Sequence, residues 1–107
     1  MIDCICINAD NKPAEIPTSH WIEHGKEYKV IMIYNMVMQN GTLGVDLQGI
    51  DLDGATNGMY SCFKMDRFAF KLEDLDALIK MAEDCAELND FNVEELLTEQ
   101  LELVPLD

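Results

Sequence analysis

Positive charge is scarce in this sequence. Seven Lys and Arg stand against 21 Asp and Glu, giving a net charge of −14 over 107 residues. Such a surface offers no footprint for a phosphate backbone or for anionic lipid, so neither direct nucleic-acid binding nor membrane binding is expected. Long apolar runs are missing too. The longest, 30–38, is broken by Asn35 and falls far short of the roughly 20 residues that a membrane-spanning helix needs. The opening Met1-Ile-Asp-Cys has no basic stretch ahead of a long apolar one, so no secretory signal is expected and the expected location is cytoplasmic. Cysteine is limited to Cys4, Cys6, Cys62 and Cys85. In a reducing compartment these are expected as reduced thiols packed like small hydrophobes.

Hydrophobic letters make up 49% of the chain, enough for a packed core rather than wholesale disorder. The length suits one domain. Charge is uneven along it. Residues 1–71 hold nine acidic and six basic side chains, whereas 72–107 hold twelve acidic and one basic, Lys80. That shift marks the expected boundary between a nearly neutral front portion and an acidic extension.

The front portion alternates as strands do. Residues 1–7 are short and β-branched, and 9–20 form a long connection that Pro13 and Pro17 keep extended. Residues 27–39 place Val30, Met32, Tyr34, Met36 and Met38 on one face and Ile31, Ile33 and Val37 on the other. Apolar residues on both faces suit a strand that bends through a small barrel and changes which side is buried. Asn40-Gly41 predicts a tight hairpin. Residues 42–52 then pair back, 53–58 are turn chemistry, 59–63 and 67–70 are short strands, and 64–66 fit a turn or one round of 3₁₀ helix.

The rear portion changes period. Leu72, Leu75, Leu78, Ile79, Ala82, Cys85, Ala86 and Leu88 repeat at three and four residues, as an amphipathic helix does. After Asn89-Asp90, Asn92 and Glu95 resemble a capping box, and Val93, Leu96, Leu97, Leu101 and Val104 extend a second helical stripe up to Pro105. The expected fold is mainly β with α: a five-stranded SH3-like barrel over 1–71 and an acidic helical extension over 72–107 packed on it.

The run from Glu15 through Ile16-Pro17, Trp21-Ile22 and Gly25-Lys-Glu-Tyr28-Lys-Val30, followed by Leu43-Gly44 and Arg67-Phe68, resembles a group of small uncharacterised bacterial and phage-borne SH3-like barrel proteins. The resemblance covers about the first seventy residues. It implies the barrel and carries no activity. The Ala-Leu-Tyr-Asp-Tyr signature of proline-binding SH3 domains is absent.

No motif amounts to an active site, and no enzyme is expected. Cys4 and Cys6 share a strand face, but zinc-binding thiols occur as loop pairs at wider spacing and no second pair exists, so both are expected in the core. His20 and His24 form H-x-x-x-H without the Glu that must follow the first His of a zincin helix. From Asp51, a calcium loop would need Gly at Thr56 and Glu at Cys62. None of Thr18, Ser19 or Ser61 lies in a G-x-S-x-G elbow, and adjacent Ser19 and His20 should point apart in an extended segment. No metal or other cofactor is expected.

Met32, Met36, Met38, Met59, Met65 and Met81 suit either core filling or an adaptable apolar surface. The strand over 30–38 holds more apolar residues than one small barrel interior needs. Trp21, Met36 and Met38 are therefore the candidate binding residues. Two functions fit. One is a non-enzymatic interaction module that accepts a protein partner or its own copy. The other is an acidic decoy whose tail mimics nucleic acid and blocks a nucleic-acid-binding protein.

Overall fold

The computed structural model describes residues 1–35, 43–84, 97 and 102–104. Its frame is a curled antiparallel sheet of five strands: β1 (Ile2–Cys6), β2 (Glu27–Asn35), β3 (Leu43–Leu47), β4 (Phe63–Lys64) and β5 (Phe68–Lys71). A sixth strand, β6 (Glu102–Val104), runs parallel to β5, and the sheet order is β4-β3-β2-β1-β5-β6. A 3₁₀ turn (Met65–Arg67) leads into β5, and another (Leu72–Asp74) leads out of it into helix α2 (Leu75–Glu83).

Register follows from side-chain alternation. Cys4 lies opposite both Tyr28 and Phe70, Cys6 opposite Phe68, Ile2 opposite Val30, and Val45 opposite Ile33 and Phe63. All of these except half-buried Tyr28 are buried, so the inner face is a continuous apolar layer. Ile16 and Ile22 from the long β1–β2 connection, Leu78 and Ala82 from α2, and Leu97 complete the core. The helix thus buries its stripe against its own sheet, as a helix too short to stand alone in water must.

The face change anticipated for the second strand has a definite cause. Val30 pairs with Leu47, but Met32 pairs with Asp46, so β2 carries one extra residue, Ile31, at a bulge. Past it the inward series moves from Val30 to Ile33, leaving Ile31 and Met32 both outside, 39% and 48% exposed. Met32 therefore does not share the inward face of Val30, as strict alternation predicted.

Other expectations shift as well. The third strand ends at Leu47, not at residue 52, because Gln48 and Gly49 turn the chain, with Gly49 at φ +87°. The turn expected at 53–58 begins instead as a single helical turn, α1 (Leu52–Ala55), whose N-cap Asp51 accepts a hydrogen bond from the Gly54 N–H at 2.9 Å. Residues 59–62 are not strand. Buried Thr56 holds them, donating its hydroxyl to the Leu52 carbonyl at 2.7 Å and accepting from the Tyr60 N–H at 3.0 Å.

The acidic extension is not helical throughout. Residues 102–104, expected at the end of a helical stripe, pair with Ala69, Phe70 and Lys71. A strand edge with unpaired backbone groups is a strong template for pairing, and it prevails over a weak helical period. The hairpin expected at Asn40-Gly41 and, apart from helical, buried Leu97, the remainder of the second stripe lie outside the described residues, although Asn35 does pair antiparallel with Leu43 on either side of 36–42.

Because Leu78 is fully buried beneath the sheet, Leu78→Ala should cost about 2–5 kcal/mol in a denaturant melt. Leu78→Asp should cost more, by placing an unpaired carboxylate in an apolar contact. A melt unchanged by either substitution would mean that α2 contributes nothing to the core.

Candidate functional site

Arg67 fastens the start of the long connection between β1 and β2. Arg67 Nη1 donates to the Asn8 and Asp10 carbonyls at 3.1 and 2.8 Å, while the Ile7 and Asn8 N–H groups donate to the Arg67 carbonyl. The Arg67 guanidinium also lies over the Trp21 ring, 5.0 Å from its centroid. Trp21 Nε1 donates to the Ala9 carbonyl at 2.7 Å, and its ring packs 5.6 Å from that of Phe63. Trp21, a candidate binding residue, is thus half-buried and occupied in holding the loop, with one side left toward a groove. Met36 and Met38, the other two candidates, lie outside the described residues.

Two grooves adjoin at Gly49 and Ile50. The first, of about 550 Å³, lies beside Trp21 and Tyr28 and mixes charges: Asp3, Glu23 and Glu27 with Lys26 and Lys29. Its polar groups largely answer one another. Lys29 Nζ reaches Asp3 Oδ1 at 2.6 Å, and the Glu23 N–H donates to the Tyr28 hydroxyl at 2.7 Å. The hydrogen bond and charge of Lys29 hold the Asp3 carboxyl below its ordinary range.

The second groove, of about 500 Å³, opens between the bulged part of β2, Asp46 on β3 and the segment around α1. Its apolar and aromatic lining is Ile31, Tyr34, Leu47, Ile50 and Leu52, and its carboxylates are Asp46, Asp51 and Asp53. Among the described residues no Lys or Arg lines it. Burial, with Asp51 nearby, raises the pKa of Asp46 above the usual carboxylate range. Sequence reasoning missed this site. Ile31 was visible as surplus apolar surface on the second strand, but nothing in the spacing placed Asp46, Asp51 and Asp53 around it.

Cys4 and Cys6 are buried on the inner face, in no disulfide. Burial, with Cys6 and Asp3 nearby, pushes the Cys4 thiol up to about 12, and burial raises Cys6 as well. Ser19 and His20 do not point apart: Oγ and Nδ1 are 3.0 Å from each other, because the segment is a 3₁₀ turn (Thr18–His20) rather than extended. Among the described residues no carboxylate is hydrogen-bonded to that ring, and no three His, Cys, Asp or Glu converge as metal ligands. No helix among them is long and apolar enough to cross a membrane.

Two measurements follow from this chemistry. Alkylation at mildly alkaline pH should spare Cys4 and Cys6 in the native protein and reach both after unfolding, as read by peptide mass mapping. Native modification of Cys4 as fast as that of half-buried Cys62 would contradict its burial. For Asp3, the native pKa lies below the unfolded value of about 3.9. The stability it confers is therefore full above that value and is lost as pH falls through the lowered native one. The melting-temperature gap between wild type and Asp3→Asn should be present at neutral pH and close in acid; a gap that widened in acid would reverse the assignment.

No family model, curated protein or solved structure matches the chain, so its function is read from this geometry.

Proposed function

We propose that this chain is a non-enzymatic protein-interaction module built on an SH3-like barrel. Supporting the barrel reading is the meander order β4-β3-β2-β1-β5, with a 3₁₀ turn immediately before the last strand of that set. The observation that carries the binding reading is the pair of adjacent outward apolar residues, Ile31 and Met32, beside a groove with an apolar floor. Single exposed apolar residues are ordinary, but a contiguous set at a concave site marks an interaction surface. The buried thiols of Cys4 and Cys6 agree with a reducing, cytoplasmic setting.

The acidic decoy is the weaker reading. It needs a free helix bearing carboxylates, whereas α2 is anchored through Leu78 and Ala82. Salt separates the two, because contacts of bare charge are screened and apolar contacts are not.

Full-length wild type and Ile31→Asp should be compared as baits in lysate of the native cell, with bound proteins identified by mass spectrometry. The module reading expects a partner held by wild type at high salt and lost by Ile31→Asp. A melt must show the variant folded, as expected for a side chain on the outward face that is 39% exposed. Capture of the same proteins by both baits, or only at low salt, would overturn it.

A further inference from the structure

We infer that the groove floored by Ile31, Tyr34 and Ile50 and edged by Asp46, Asp51 and Asp53 takes a partner segment in which a large apolar side chain is flanked by Lys or Arg. The inference rests on the interaction-module reading and adds the chemistry of the occupant.

The reasoning is one of desolvation. Any group that covers Ile31 and Ile50 also removes water from Asp46, which lines the same groove and is already half-buried. Stripping water from an ionised carboxylate costs free energy, whether it stays charged or takes up a proton, and a cation placed beside it removes that cost. Among the described residues of the groove nothing can, since none that lines it is Lys or Arg. Asp51 cannot swing away without uncapping α1, because its carboxylate holds the Gly54 N–H. The cation must therefore arrive with the partner. A segment that is only apolar would cover the floor and leave the rim unpaired; one that is only basic would meet the rim and leave the floor wet.

The same balance disposes of other occupants. A second copy of the chain would bring another net −14 against the carboxylates. Nucleic acid and anionic lipid are repelled for the same reason. Arg suits the site as well as Lys, since its planar fork can bridge two carboxylate oxygens.

The test uses the full-length, isotope-labelled protein and three sets of short synthetic peptides. Each has a central Leu or Phe, flanked by Lys and Arg in one set, by Gln in the second and by Glu in the third. Binding is read as amide shifts at Ile31, Tyr34 and Ile50, and affinity by fluorescence polarisation. The basic set should bind, the Gln set more weakly and the Glu set not at all. In Asp46→Asn/Asp53→Asn, with Asp51 left to cap α1, the basic set should bind roughly tenfold more weakly, while the Gln set is unaffected or tightened. A melt matching wild type shows that the variant is folded. If it is not, Asp53→Asn alone, on the outside of α1, must still weaken the basic set.

Equal binding of basic and Gln peptides, with shifts at these three residues, would overturn the charge assignment while leaving the module reading in place. Binding of the basic set without shifts there, unaltered in the variants, would place the contact elsewhere and overturn the groove. No binding by any set would overturn the groove's occupant, whereas the module reading would still stand or fall on the Ile31→Asp capture.

Discussion

One extra residue in β2 governs much of what this sheet presents to its surroundings. A regular strand through Val30 would have sent Met32 and Tyr34 inward and Ile31 and Ile33 outward, and the core would have been built from different side chains. The bulge lets Val30 and Ile33, three apart, both point in. Two consequences arise from the same step. The strand bends, as a sheet this small must if its inner face is to close around Phe68 and Phe70. In addition, two successive apolar side chains are left outside, where a regular strand leaves every second one. The core and the proposed binding surface are therefore two products of one irregularity, and removing the bulge would alter both.

A second constraint acts on the long connection. A chain of this length between two paired strands loses considerable entropy when ordered, and the structure recovers it by burying Ile16 and Ile22 and by making Arg67 an anchor. Arg67 sits in the turn before β5, so its side chain reaches the loop while its backbone carbonyl takes the Ile7 and Asn8 N–H groups. Trp21 serves as the lid of that arrangement, its indole N–H satisfied by Ala9 and its ring held between Arg67 and Phe63. Of the side chains that make the sequence resemble a group of small barrels, Ile16, Ile22, Val30 and Phe68 are core residues, while Trp21, Tyr28 and Arg67 flank the core or fasten the loop. They specify a shape and say nothing of a partner.

What could be read from the sequence was what depends on neighbours close along the chain. The strand composition of 1–7 and 27–35, the 3₁₀ turn before β5 and the period of α2 all surface in a short window. What could not be read depends on register or on capping at a distance. Strand β6 pairs through its backbone with an edge whose existence no local pattern reveals. Residues 59–62 look like strand by composition, yet the Thr56 hydroxyl holds Tyr60 back toward α1. Ser19 and His20 meet because a 3₁₀ turn rotates adjacent side chains differently from an extended one. The carboxylate groove unites β2, β3 and α1, three elements whose relative placement is set by the bulge and by Gly49.

The net charge, the most conspicuous property of the chain, is a poor guide to function taken alone. Carboxylates on the exposed side of α2 add to the net negative charge, as they would in any partner-binding or partnerless protein. Charge becomes informative only where it meets something else. On α2 it lies opposite Leu78 and Ala82, which face the core, so that helix offers acid without an apolar contact. At Asp46, Asp51 and Asp53 it borders side chains that water should leave. There the electrostatic and hydrophobic terms act on the same occupant, and the cost of drying one is offset only if the other is met. At this groove acidity amounts to more than a solvated surface.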